Sequence, residues 1–426
     1  MAKRAAIILA GGESRRMNSR LSKVLHSILG WPVIRHVIET AREAGVADVV
    51  LVANESNAPG LRELVADLEG RFEVVIQPVA KGTADAVRCG LAGLPDDADT
   101  AVVLCGDAPL IRPETLRDFL DAHESGAAVV SVLSGLVANP YGYGRIVRDA
   151  DGAFTGIVEE KDADEAERAI TEINSGCLAF RSAELPALLE AVPSAPNGEL
   201  YLTRTVDIAV ERGLATAATR RIEESELLGI NTRAQLAEAT AVLRRRVIER
   251  HLAAGVTVVD PSSTFIDRRA RIGRDAVIEP FTVIEGPVEL GEGCHVGPFA
   301  RVRGASRLAG EARVGNFVEV VRSELGAGAT ALHHAYIGDA TVGAGANIGA
   351  GVVVANWDGE RKHSATIEAG SRIGAGTIIV SPATVGAGAV TGAGAVVTKD
   401  IPAGETRVGV PARRHQPERA GEEARS

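Results

Sequence analysis

Through the first 230 residues, short apolar runs alternate with helix-like stretches. Ala5–Leu9, Val49–Val52, Phe72–Ile76, Ala101–Leu104 and Ala128–Val132 read as strands, and segments such as Pro32–Ala44 and Pro113–His123 lie between them. That alternation predicts β-α-β units around a mostly parallel sheet. From Thr232 to about Ala254, Leu236, Ala239, Val242, Leu243, Val247 and Leu252 fall near helical spacing among many charges, which predicts one connecting helix. Past residue 255 a branched aliphatic followed by glycine recurs at six-residue intervals or multiples of them. Leu290-Gly291 and Val296-Gly297 show the register, as do Val342-Gly343 and Ile348-Gly349; Val385-Gly386 is followed in phase by Thr391-Gly392. Such a repeat predicts a parallel β-helix, in which short strands stack coil on coil around an aliphatic ladder. Gly-rich loops would not hold an aliphatic in phase over this length. The chain therefore divides into residues 1–231, a linker helix at 232–254, a β-helix at 255–414 and a polar tail, 415–426, expected to be disordered.

Composition sharpens this picture. Aromatic residues make up only 3% of the 426, against 47 glycines and a 46% hydrophobic fraction, so Val, Ile, Leu and Ala must fill the interior. A formal charge of −10 opposes broad binding to nucleic acid or to an anionic membrane. Cys89, Cys105, Cys177 and Cys294 never form the short paired spacings of metal knuckles or secreted disulfide frameworks, which fits a reduced, cytoplasmic setting. The apolar stretch Ala5–Ala10 is too short for an export-signal core and runs into a glycine turn. No segment approaches the ~18 uninterrupted apolar residues of a membrane span.

Candidate chemistry begins directly after the first strand, at Leu9-Ala10-Gly11-Gly12-Glu13-Ser14-Arg15-Arg16-Met17, followed by Ser22-Lys23-Val24-Leu25-His26. Glycines at a strand end let backbone N–H groups approach phosphate oxygens, and Arg16 and Lys23 can neutralise a triphosphate and a departing pyrophosphate. A tight β-α turn would use the same glycines. Asp107 ends an apolar strand, where its carboxylate can project at the sheet edge as a ligand for Mg²⁺, or else serve as a turn or helix-capping residue.

The glycine segment resembles the LAAGxGTRMxSxxPKVLH signature of the sugar-nucleotide pyrophosphorylases. Later motifs follow in the order of the bifunctional UDP-N-acetylglucosamine pyrophosphorylase and glucosamine-1-phosphate N-acetyltransferase family, GlmU. They are Gln77 with Gly82-Thr83-Ala84, Gly106-Asp107-Ala108-Pro109-Leu110, Tyr143-Gly144-Arg145-Ile146, Ile157-Val158-Glu159, Glu172-Ile173-Asn174-Ser175-Gly176 and Gly229-Ile230-Asn231. The resemblance implies a Rossmann-like α/β nucleotidyltransferase domain followed by a left-handed parallel β-helix. It further implies that Leu9, Ala10, Gly11, Gly12, Gln77, Gly82 and Thr83 hold the uracil and ribose, that Gly144, Glu159 and Asn174 hold the sugar, and that Asp107 and Asn231 ligate Mg²⁺. Gly11, Ser14, Arg15 and Ser22 depart from the usual Ala, Gly, Thr and Pro, and Arg204 replaces an Asp.

In the repeats, Leu332-His333-His334-Ala335-Tyr336-Ile337-Gly338-Asp339 aligns with the family's GHLTYLGD. The resemblance makes His333 the general base toward the glucosamine amine, a task that suits a side chain titrating near neutrality. It gives Glu319 the support of that histidine, and assigns Arg303, Tyr336, Asn347 and Lys362 to the amino-sugar phosphate. Ala350, Asn356, Trp357, Ala375, Ala393 and Arg413 are assigned to acetyl-CoA. Val321 stands in place of a phosphate-binding Lys, Trp357 of a Tyr and Ala375 of a Ser, and the β-helix is shorter than usual before Arg303. Val408-Gly409-Val410-Pro411-Ala412-Arg413 resembles the terminal signature of hexapeptide acyltransferases.

The expected activity is bifunctional: acetyl transfer from acetyl-CoA to glucosamine 1-phosphate, then Mg²⁺-dependent uridylyl transfer from UTP, for cell-wall and lipopolysaccharide precursors. The family resemblance implies a cytoplasmic homotrimer acting on small molecules, with no nucleic-acid or membrane partner. The alternative is a sugar-1-phosphate nucleotidyltransferase whose β-helix is inactive or acetylates another amino sugar.

Overall fold

The computed structural model describes residues 2–12, 14–195 and 198–415; the expected tail from residue 416 onward lies outside them. The chain forms two compact units that divide between Val242 and Leu243.

In the first unit, Arg4–Leu9 lies parallel to both Asp48–Ala53 and Thr100–Cys105, and Arg71–Ile76 extends the sheet beyond Asp48–Ala53. On the other side Glu172–Arg181 runs antiparallel to Thr100–Cys105 and to Val130–Leu136, with Thr216–Ile222 at that edge. The sheet is mostly parallel, as expected, with Glu172–Arg181 running against the strands on either side of it. Glu172–Arg181 did not read as a strand because its register shifts between Asn174 and Leu178, where Gly176 takes φ +81° and polar residues interrupt the apolar pattern.

The central strands are apolar throughout because both faces are covered. Ile8, Leu51 and Val102 pack with Ile34, Val37 and Ile38 of the helix Val33–Glu43 and with Leu116, Phe119 and Leu120 of the helix Pro113–Ser125. Ile7, Val50 and Val103 face the opposite core, with Val87 of the helix Thr83–Gly90 and Val206 of the helix Arg204–Glu211. Four parallel strands end at one edge of the sheet, which delivers Ala10, Asn54, Gln77 and Asp107 to the same side.

The helix Arg233–Ala253 begins at a reciprocal cap, where Gln235 N–H donates to the Thr232 hydroxyl and Thr232 N–H to the Gln235 side-chain oxygen Oε1. Ala239, Leu243, Val247 and Ile248 are buried along it; Leu252, expected on the same stripe, is 43% exposed.

Among the described residues the second unit is a parallel β-helix of three sheets, with ten, eight and seven short strands. Val277 pairs with His295 and His295 with Arg313, one coil being three hexapeptides. Inside stand columns of aliphatics, such as Ile284, Val302, Val320, Ile337, Val354, Ile379 and Val397, all essentially without exposure. Aromatics go outside. Phe281, Phe299, Phe317 and His334 stack along one corner at centroid distances of 4.7, 5.2 and 5.0 Å.

The coil length changes in the middle of the stack. Arg313 pairs with Thr330 and Thr330 with Asn347, each coil one residue short, whereas Asn347 pairs with Arg372. The surplus leaves the wall after Ala355 as an arm closed by a Trp357–Lys362 bridge, and the chain re-enters the wall at Ala365.

Candidate functional site

A cleft of roughly 290 Å³ opens at the carboxyl edge of the first unit's sheet. Leu9, Ala10, Gly11, Gly12, Lys23, Gln77, Gly82, Thr83 and Asp107 all line it, together with Val24, Ala80, Ala86, Cys105, Glu199 and Tyr201. The glycine segment is held from below: Asn57 Nδ2 donates to Ala10 O at 2.8 Å and Asn54 Nδ2 to Gly11 O at 3.0 Å. Lys23 N–H donates to Ser14 Oγ at 2.8 Å, which closes the segment into a loop. The far wall is a backbone pairing that sequence motifs did not disclose. Leu200 N–H donates to Lys81 O, Ala84 N–H to Leu200 O and Leu202 N–H to Thr83 Oγ1. Gly82, at φ +112°, has no room for a Cβ, which would fall 2.5 Å from Leu200 O.

At one end of the cleft Lys23 Nζ bridges Asp107 Oδ2 and Asn231 Oδ1, the latter at 2.8 Å. Ile230 N–H donates to Asp107 O at 2.8 Å, so the strap before the helix is fixed to the sheet edge. Two oxygens converging on one cation, beside the glycine loop, form a hard donor set that fits Mg²⁺. Among the described residues there is no cluster of three or more His, Cys, Asp or Glu side chains that would hold a metal alone. Burial, then the neighbouring Asp107, pushes the Cys105 thiol up to about 12, so this cleft-lining cysteine is a neutral wall.

Gly144, Glu159 and Asn174 meet in a second cluster. Asn174 N–H donates to Gly144 O at 2.9 Å, a Cβ on Gly144 would sit 3.5 Å from Glu159 Oε2, and Thr203 Oγ1 donates to Glu159 Oε1 at 2.8 Å. Arg16 is not brought into the cleft: it stands exposed on the turn Arg15–Met17. Arg204 forms an ion pair with Asp207 one turn along its own helix, at 2.8 Å.

In the β-helix, His333 ends the strand Thr330–His333, with its side chain exposed and Nδ1 3.0 Å from Asn316 Oδ1, its register partner one coil earlier. Glu319, expected to support this histidine, instead accepts from Arg303 Nε at 2.6 Å, because it lies on the neighbouring wall in register with Arg301 and Tyr336. Tyr336 Oη and Asn356 Nδ2 converge over Gly338, where a Cβ would lie 2.7 Å from each. Arg322 and Asn356 both donate to Asp339, and Arg322, the nearby Asn356 and the Lys362 charge hold that carboxyl below its ordinary range. Arg322 therefore adds a cation on this side, whereas Val321 is wholly buried.

Asn347 accepts from Thr330 Oγ1 at 2.9 Å on the wall that carries His333. Ala350, Ala375 and Ala393 follow one another up a single exposed corner, tied by Gly376 N–H to Ala350 O and Gly394 N–H to Ala375 O. Trp357 is 56% exposed on the arm, and Arg413 is exposed on the last strand.

Two known domain families match the chain in the order of these units. A MobA-like NTP transferase domain covers residues 6–171, and the bacterial transferase hexapeptide (six repeats) covers residues 269–304. Fold and sites together define a nucleotidyltransferase joined to a hexapeptide-repeat transferase. The bifunctional protein GlmU of Heliobacterium modesticaldum is 41% identical over 442 aligned residues, covering 96% of this chain and 96% of that one. Its counterpart in Pelotomaculum thermopropionicum is 41% identical over 412 residues, covering 89% of each, and that of Thermobifida fusca 39% over 445, covering 95% and 92%. The chain belongs to the GlmU family.

Proposed function

We propose that residues 255–414 acetylate glucosamine 1-phosphate with acetyl-CoA. Residues 1–231, joined to them by the helix at 232–254, then transfer a uridylyl group from UTP to the N-acetylated product. The observation that carries this reading is the Lys23–Asp107–Asn231 bridge set beside a glycine loop in the cleft at the sheet's carboxyl edge.

In uridylyl transfer, a phosphate oxygen of the sugar 1-phosphate attacks the α-phosphorus of UTP and the bond to the β-phosphate breaks, releasing pyrophosphate. No protein nucleophile is required, so the residues act by position and charge. Gln77 and the Gly82–Thr83 turn receive the base, Gly11 and Gly12 let backbone N–H groups reach the phosphates, and Glu159 and Asn174 orient the sugar. Lys23 supplies a cation to the phosphates. Mg²⁺ held at Asp107 and Asn231 neutralises phosphate charge when bound.

In acetyl transfer, the glucosamine amine attacks the thioester carbonyl and its proton passes to His333; the C–S bond then breaks and His333 returns that proton to the departing sulfur, so coenzyme A leaves as the thiol. The Asn316 side-chain oxygen Oδ1 accepts a hydrogen bond from Nδ1–H, which leaves Nε2 with the lone pair a base needs. Arg303, Arg322 and Lys362 supply cations for the sugar phosphate, and the Ala350–Ala375–Ala393 corner is a smooth wall for the pantetheine chain.

This function places the protein in the cytoplasm as a supplier of cell-wall precursor, and the exposed side walls of the stack suit a homotrimer. The absence of a lysine at Val321 favours a second reading, in which the β-helix takes another amino sugar. A two-stage assay tests both. Glucosamine 1-phosphate and acetyl-CoA are followed for free thiol, then UTP and Mg²⁺ are added and pyrophosphate is followed; thiol before pyrophosphate is expected. Pyrophosphate from supplied N-acetylglucosamine 1-phosphate without prior thiol release would leave only the first activity.

A further inference from the structure

Gln77, 7% exposed at the carboxyl end of Arg71–Ile76, has both amide protons committed. Nε2 donates to Gly82 O at 3.2 Å and to Asp85 Oδ2 at 2.9 Å. Two acceptors around one end of a primary amide decide which end is nitrogen, since half a turn would set its oxygen against a carbonyl and a carboxylate. Oε1 is accordingly turned toward Gly11, where a Cβ would lie 3.4 Å away, and both residues line the cleft. Neither acceptor is free to drift. Gly82 is wedged against Leu200, and Asp85 sits in the first turn of Thr83–Gly90, where the helix end favours a carboxylate.

We infer that Asp85 is a positioning residue for base selection. By holding the Gln77 nitrogen it leaves the cleft one fixed acceptor, which suits a base with an N–H at its reading edge, as uracil has. The same acceptor opposes a base with a lone pair there, as cytosine has. Gly82 O alone provides a single restraint, so removing Asp85 frees the amide to turn and present its N–H₂ instead. Aspartate has no contact with the base in this arrangement; it acts through Gln77. The inference rests on uridylyl transfer as the activity of this cleft.

The test is pyrophosphate release by the full-length protein from N-acetylglucosamine 1-phosphate, with UTP and with CTP, for wild type, Asp85→Ala, Asp85→Asn and Gln77→Ala. In Asp85→Ala the UTP-over-CTP preference in kcat/KM is expected to fall about tenfold, mostly through KM, with kcat at saturating UTP retained. Asp85→Asn keeps an acceptor oxygen and should restore most of the preference, while Gln77→Ala should lose it. An unchanged preference in Asp85→Ala, or equal losses with both nucleotides, would overturn the inference by making the contact structural only. If the wild type releases no pyrophosphate from either nucleotide, the uridylyl-transfer reading itself fails. Calorimetric binding of UTP and CTP to wild type and Asp85→Ala then decides the role of Asp85 by the same ratio.

Discussion

The two units solve the same packing problem in opposite ways. The first builds one large sheet and covers both faces with helices, so its central strands are largely apolar and its chemistry collects at one edge where the strands stop. The second folds its sheets around one another, so every wall has an inner face of aliphatics and an outer face that carries its polar side chains, and chemistry is spread over walls and corners. An edge concentrates side chains from distant parts of the sequence, as Lys23, Asp107 and Asn231 show. A stack instead brings together residues one coil apart, as it does Asn316 and His333.

The strongest test of this contrast is chemical. His333→Ala should lower acetyl transfer about 10²–10⁴-fold, the range for a lost general base, while pyrophosphate release from supplied N-acetylglucosamine 1-phosphate stays at the wild-type rate. Asp107→Ala should do the converse, lowering uridylyl transfer about 10²–10³-fold with thiol release from acetyl-CoA unchanged. A loss of both activities in either variant would show that the units do not act separately.

Stability changes come next. Ile8→Ala and Ile337→Ala each empty a site without exposure and should cost about 2–5 kcal/mol by denaturant unfolding. Gly315→Ala should be comparably damaging, because its Cβ would run into the backbone at Leu332. The fixed backbone of the stack cannot yield there as a side chain could.

The smallest expected effect concerns acid. Burial alone would raise the Glu172 carboxyl, yet Arg148, Arg220 and Ser134 hold it at about 2. A carboxyl depressed on folding contributes stability above its unfolded value, lost as pH falls from about 4.5 toward about 2. With Arg220 half exposed, that contribution is about 1–2 kcal/mol after solvent screening. Unfolding midpoints of wild type and Glu172→Gln should therefore converge at the acid end of this window.

Much of this was legible because the periods are regular. The strands Arg4–Leu9, Asp48–Ala53 and Thr100–Cys105 announce themselves as apolar runs, and the six-residue register discloses the stack. Features that act through backbone or across coils were harder to see. Leu200 closes the cleft with its N–H and C=O, which no residue pattern marks. Asn316 stands directly below His333 only because that coil is one residue short, so an eighteen-residue column would set it under His334; Glu319, nearer in the motif, lies on the neighbouring wall. Ile248 rather than Leu252 completes the buried stripe of Arg233–Ala253, a choice that helical spacing leaves open over a long charged helix.

A prism that repeats its three walls every eighteen residues behaves as a screw thread. Adding or removing a full turn below Arg301 would carry Arg303, His333 and Tyr336 along the axis together by about 4.8 Å, with no rotation of one against another. Six residues would instead turn them by one wall and aim them in a new direction. The arm after Ala355 escapes this rule because it departs and returns at a single corner, so its length can vary without advancing the thread.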